Sequence, residues 1–188
     1  MNREIYEIME DCPVIAAVKD DSGLETCLES EIAVVFVLYG DIRTIRQITD
    51  RIRAAGKVVI VHADLIGGLA SREIAVDFLK YEAGADGIIS TKLPLIHRAK
   101  ELGLYTVFRF FVIDSMALDN IRKQCGSCMP DFVEILPGLM PRIIAGVAAS
   151  VPVPVIAGGL ISEKGDVTAA LEAGAVSIST TNEAVWFM

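Results

Sequence analysis

Aromatic side chains are scarce in this 188-residue sequence: one Trp, four Tyr and seven Phe, 6% of the chain. Cations are short too, with 17 Lys and Arg against 25 Asp and Glu and a formal net charge of −8. That deficit excludes a protein that coats nucleic acid through a globally basic surface, though not one with a local basic patch. An RNA-recognition motif with interleaved aromatics is also missing. Neither glycine (15) nor proline (7) exceeds ordinary usage, so the chain is neither collagen-like nor of low complexity. Disorder needs low hydrophobicity together with high net charge, and 53% hydrophobic residues exclude it.

No secretory signal is read at the start, where Arg3, Glu4, Glu7, Glu10 and Asp11 leave no apolar segment. The uncharged stretch 143–162 is 20 residues long, the length of a membrane span. Val151-Pro-Val-Pro154 and Gly158-Gly159 would break a lone spanning helix, so it reads as a helix end, a turn and a buried strand. No membrane segment is expected, and the protein is expected in the cytoplasm. Of four cysteines, Cys125 and Cys128 form a C-x-x-C, but it follows a helical stretch, whereas a redox pair opens a helix after a strand. A zinc site needs two further ligands, and only Cys12 falls at the same end. Ordinary reduced thiols are expected.

At roughly 150 residues per domain the length fits one domain, 1–188. A chain of this size buries roughly 70% of the surface exposed when unfolded, enough for a full core. Eight short apolar runs recur: 14–18, 33–38, 58–61, 87–90, 105–112, 132–136, 153–157 and 176–179. They are continuous rather than alternating, as in parallel strands covered on both faces. Amphipathic stretches separate them. In 41–55, Ile45, Ile48, Ile52 and Ala55 share one helical face, opposite Arg43, Arg46, Arg53 and Lys57. Gly56, Gly84, Gly103 and Gly174 stand where helices should end.

This β/α order allows an open doubly wound sheet or a closed barrel. The strand count favours the barrel, and so does a half-chain repeat. Residues 82–92 and 172–182 are identical at six of eleven positions and relate the fourth strand to the eighth. The expected fold is α/β, a compact TIM-type (β/α)8 barrel. At 188 residues against about 250 for a typical barrel, its helices must be short.

Such barrels bind ligands at the C-terminal ends of their strands. The residues there are Lys19 and Asp20, then His62 and Asp64, then Ser90, Thr91 and Lys92. Arg109 lies within the fifth run, and Glu134 within the sixth, followed by Pro137 and Gly138. Charges inside buried strands are costly unless paired. Arg109 and Glu134 therefore face the barrel mouth, to meet each other, Lys19 or a ligand. His62 and Asp64 share a strand face, and Glu134 would be a third ligand if a metal sat there; the alternative is a polar rim. Gly158-Gly159 after the seventh strand, with Ser179-Thr180-Thr181-Asn182 after the eighth, matches the usual phosphate cradle of this fold, or else two tight turns.

Residues 61–66 (VHADLI), 87–91 (GIIST), Arg109 to Asp114, 130–138 (PDFVEILPG), 157–161 (AGGLI) and 179–182 (STTN), in this order, resemble the glycerol uptake operon antiterminator family. The resemblance runs from Ile15 to Trp186. It implies a non-catalytic barrel that binds glycerol 3-phosphate and acts on the leader mRNA of a glycerol operon. The implied ligand site comprises Lys19, His62, Asp64, Thr91, Lys92, Arg109, Glu134, Gly138, Gly158, Gly159, Thr180 and Thr181. Asp64, Glu134 or His62 would accept from the glycerol hydroxyls, with Lys19, Lys92 or Arg109 near the phosphate. No cofactor or metal is implied.

Candidate RNA contacts are Arg43, Arg46, Arg53 and Lys57, which are also readable as a solvated helix face. The other class of function is a phosphate-binding barrel enzyme (a lyase, isomerase or phosphodiesterase) using Lys19, His62, Asp64, Lys92 and Glu134. A homo-oligomer is compatible with the sequence, which does not decide the assembly.

Overall fold

All eight apolar runs are strands: β1 (Val14–Val18), β2 (Val34–Val37), β3 (Val58–His62), β4 (Gly87–Ser90), β5 (Tyr105–Phe111), β6 (Phe132–Leu136), β7 (Val155–Gly158) and β8 (Ser177–Thr180). Each pairs in parallel with the next, and β8 returns to β1 through Val14↔Ile178 and Ile15↔Ser179, closing the barrel. Helices α2 (Asp21–Glu29), α3 (Ile45–Ala54), α4 (Ile74–Tyr81), α5 (Leu93–Glu101), α6 (Ser115–Cys128), α7 (Pro141–Ala148) and α8 (Lys164–Glu172) make the crossovers. This computed structural model describes residues 3–188. Residues 1 and 2 of the expected domain, and the side chains of Arg3 and Glu4, lie outside what is described.

Alternation along each strand splits the core in two. Outward residues such as Val35, Val59, Ile88 and Val133 pack beneath the helices. Inward residues Ile15, Val34, Phe36, Ile60, Ile89, Val107, Phe132 and Ile156 fill the barrel. Above that apolar filling the inward positions turn polar, at His62, Arg109, Glu134 and Ser179, all buried.

The barrel departs from the usual plan before β1 and after β8. An amphipathic helix, α1 (Arg3–Asp11), precedes β1, and its fully buried Ile5 and Met9 join the barrel-interior cluster. After β8 the described residues form a 3-10 helix, Glu183–Phe187, anchored by the Trp186 indole donating to the Thr180 carbonyl at 3.0 Å. The stretch 143–162 divides into the end of α7, a turn and β7, as expected. Among the described residues no helix is long and apolar enough to cross a membrane.

The half-chain repeat has a structural counterpart. Gly84 and Gly174 stand at equivalent helix ends with φ of 70° and 99°, before β4 and β8. That left-handed conformation is open to glycine at little cost.

One helix starts later than expected. α3 begins at Ile45 rather than Asp41, because the Asp41 carboxylate accepts from the amides of Arg43 and Thr44 and holds a turn there. Lys57 is a second correction. It is buried instead of exposed beside Arg43, Arg46 and Arg53, and its ammonium donates to the carbonyls of Ser30 and Ile32 at 2.6 and 2.7 Å.

Lys57 belongs to a wider pattern at this end of the barrel. Arg46 donates to the Glu82 carbonyl past α4, Lys80 to the Leu102 carbonyl past α5, and Lys100 to the Cys128 and Met129 carbonyls at the end of α6. Arg46, Lys80 and Lys100 thus cap the negative end of the next helix and Lys57 that of the preceding one, each contributing ~0.3–1 kcal/mol.

Candidate functional site

The polar layer at the C-terminal mouth is held by a three-residue chain. Arg109 and Glu134 are register partners on β5 and β6, with Arg109 Nε 2.5 Å from Glu134 Oε2. Ser179 Oγ, on β8, donates to Glu134 Oε1 at 2.5 Å. Between them lies Gly158. A Cβ there would fall 2.5 Å from Glu134 Oε1 and 2.6 Å from Ser179 Oγ, so a side chain at 158 would break the chain of contacts. Arg109 spends only Nε on Glu134, leaving its Nη groups without a partner among the described residues.

The mouth opens into a cavity of about 330 Å³ lined by Arg109, Leu136, residues 159–162 and residues 179–182, with Ala17 and Leu38 opposite. The turn after β7 is shaped by Gly159 (φ 79°) and Leu160 (φ 65°). The backbone N–H groups of Gly159, Leu160 and Thr181 donate to no acceptor among the described residues. Free amides around a concave site form an anion receptor. Asn182 accepts from the Ala184 amide at 3.0 Å and orients the terminal 3-10 helix beside them.

A second cluster lines the β3–β4 side. Asp64 accepts from Ser90 Oγ (3.0 Å), the Thr91 amide (2.8 Å) and Thr91 Oγ1 (2.9 Å). Lys92 Nζ lies 3.4 Å from Asp64 Oδ1 and 2.5 Å from Ser71 Oγ. Burial alone would raise the Asp64 pKa, but the hydrogen bonds from Thr91 and Ser90 outweigh it and hold the carboxyl low. His62 is 4% exposed, and its Nδ1 is buried with no partner among the described residues. Burial first, then the Arg109 charge, pushes its pKa down to about 4, so the ring is neutral at pH 7.

The expected residues therefore separate. Arg109, Gly159, Thr180 and Thr181 line the cavity, with Glu134 and Gly158 immediately behind it. His62, Asp64, Thr91 and Lys92 form the adjoining cluster, and Lys19 stands exposed past the end of β1. Thr180 turns out to use its hydroxyl internally, donating to the Ile161 carbonyl at 2.7 Å. Gly138 serves close packing: its amide donates to the Gly159 carbonyl, and a Cβ would meet Ile161 Cδ1 at 2.8 Å. It follows the cis Leu136–Pro137 bond.

Sequence reasoning placed Ser90 and Ser179 at the mouth without counting them in the ligand site, and it missed Ser71. The spacing of two between Ser177, Ser179 and Thr181 was the available signal for an inward polar stripe. Glu134 turns to Arg109 and Ser179 rather than joining His62 and Asp64 as a metal ligand. Cys125 and Cys128 are buried near the end of α6, with the Cys125 thiol pushed up to about 12 by burial, far from redox reactivity.

The family model described as glycerol-3-phosphate responsive antiterminator matches residues 14–186. The chain belongs to that antiterminator family. It is 42% identical over 182 residues to the uncharacterized protein YgcP of Escherichia coli (strain K12), spanning 97% of this chain and 95% of that one. The crystal structure of the glycerol uptake operon antiterminator regulatory protein from Listeria monocytogenes superposes with a TM-score of 0.90 at 32% identity, over 94% of this chain and 95% of that one. A glycerol uptake operon antiterminator-related protein from Thermotoga maritima gives 0.82 at 34% identity, over 93% and 98%.

A regulatory family is consistent with a non-catalytic barrel, and the titratable groups of this antiterminator-family chain agree. A general acid or base works best with a pKa near the operating pH, and His62 is moved away from it. Glu134, the other buried candidate, is engaged through both carboxylate oxygens.

Proposed function

We propose that this protein is a glycerol-3-phosphate-sensing transcription antiterminator, binding its ligand at the barrel mouth and acting in the cytoplasm on the leader mRNA of a glycerol-utilisation operon. The ligand phosphate rests on the amides of Gly159, Leu160 and Thr181, with the Arg109 Nη groups beside it. The glycerol hydroxyls point across the mouth toward His62 and Asp64. Lys19 and Lys92 add positive charge at the rim.

The observation that carries this reading is the set of unpartnered amides around a cavity of about 330 Å³, within the usual range for a small-ligand site. The buried, unpartnered His62 Nδ1 supplies a polar contact for a hydroxylated ligand on the other side. Membership of a family described as glycerol-3-phosphate responsive antiterminators supports the choice of ligand, and antitermination supports a transcript as target.

Calorimetry tests it. Glycerol 3-phosphate should bind the wild-type protein, and glycerol alone should not. Gly159→Val and Thr181→Pro should abolish binding while far-ultraviolet circular dichroism stays native. Unchanged affinity in folded variants rejects the cradle. Filter binding of leader RNA with and without glycerol 3-phosphate tests the output.

A further inference from the structure

The cations of this net-acidic chain divide into two populations. Most are engaged: Arg46, Lys57, Lys80 and Lys100 on helix-end or loop carbonyls, and Arg51, Arg53, Arg98 and Arg122 on carboxylates. Lys19, Arg43, Arg72, Arg142 and Lys164 are exposed, and their side chains make no hydrogen bond or ion pair among the described residues. These five follow β1, β2, β3, β6 and β7, on βα loops or in the first turn of a helix. They ring the same end of the barrel onto which the ligand mouth opens. Lys123, midway along α6, is the one unengaged cation found elsewhere among the described residues.

Several acids at this rim are turned to backbone amides, while Glu73 and Glu183 stand exposed beside it. Asp20, Asp41 and Asp114 accept from first-turn or pre-helix amides, and Glu163 and Asp166 form the capping box of α8. Their charge sits against helix N-termini, and the N-termini of α2 to α8 all point to this face. Phe111, 58% exposed at the end of β5, offers a flat ring beside the mouth.

Resting on the antiterminator reading above, we propose that leader RNA docks across this C-terminal rim, over the ligand mouth. Arg43, Arg72 and Arg142 take backbone phosphates and Phe111 stacks on an unpaired base. Of the sequence-expected contacts this keeps Arg43 and releases Arg46, Arg53 and Lys57, whose cationic groups are engaged elsewhere. The bound ligand then lies inside the RNA interface, so ligand and RNA strengthen each other's binding and RNA slows ligand escape.

The test is fluorescence anisotropy with labelled leader RNA and the full chain at saturating glycerol 3-phosphate. Arg43→Glu, Arg72→Glu and Arg142→Glu should each weaken RNA binding by about tenfold or more and lower the log–log salt slope by about one. Phe111→Ala should weaken it at an unchanged slope. Calorimetric ligand affinity should stay as in the wild type, and Lys123→Glu should bind RNA normally. Stopped-flow release of ligand should be slower with RNA bound.

Rim variants that bind RNA like the wild type, or Arg46→Glu and Arg53→Glu variants that lose it instead, overturn the rim. A rim substitution that changes the sedimentation coefficient and not RNA affinity makes this face a protein contact and overturns it too. A wild-type protein that binds ligand but no leader RNA refutes the RNA output itself, a result distinct from either.

Discussion

Arg109 and Glu134 face each other across the β5–β6 register with 2.5 Å between Nε and Oε2, their side chains 8% and 0% exposed. This pair is the floor of the ligand mouth, and its energetics are asymmetric. Removing one partner strands a buried charge, whereas removing both does not. Arg109→Met and Glu134→Leu should each destabilise by about 3 kcal/mol in urea denaturation, and the double variant by clearly less than the sum.

Two glycine-to-alanine substitutions should have opposite signs. Gly158→Ala places a methyl against Glu134 and Ser179 and should cost about 1–3 kcal/mol, with loss of ligand binding. Gly146→Ala, inside α7 with nothing within 4 Å of the new methyl, should stabilise by about 0.5–1 kcal/mol. Thermal unfolding of the two variants measures both effects.

His62 sets a pH dependence. Its folded-state pKa of about 4 lies below the ordinary 6.5, so between those values the unfolded chain binds the extra proton. Stability should therefore rise with pH from about 4 to about 6.5, by about 3 kcal/mol from this residue, and be flat above. Asp64 acts in a separate window. Its lowered pKa contributes stability present above the ordinary carboxylate range and lost only as pH falls through the folded value. Urea midpoints across this range should lose the upper slope in His62→Gln and keep the lower one.

Lys57→Met should lower stability by about 2 kcal/mol, since two carbonyls near the end of α2 lose a charged donor. The folded variant should keep wild-type affinity for leader RNA in filter binding, because the ammonium it removes is buried beside Ser30 and Ile32.

Much of this molecule was legible in the chain because its signals are local. Eight apolar runs, the glycines closing helices and the half-chain repeat specify a β/α alternation, and charge within two of those runs marks Arg109 and Glu134 as mouth residues. The helix over 41–55 was legible as well, but its first turn was not. The carboxylate of Asp41 competes for the amides there, and strand-end geometry decides that competition.

The amino-acid sequence by itself determined the β/α alternation from β1 to β8, the barrel and the strand ends that carry polar groups, though not the helix α1 before them. Periodicity and the cost of burying charge act residue by residue. Only the tertiary structure decided which cations are free. Lys57, Lys80 and Lys100 look like solvent-facing charges in the chain and prove to cap carbonyls more than twenty residues away. It likewise decided why position 158 must be glycine, because the atoms a side chain would strike come from β6 and β8. Both follow from contacts that exist only once the barrel has closed.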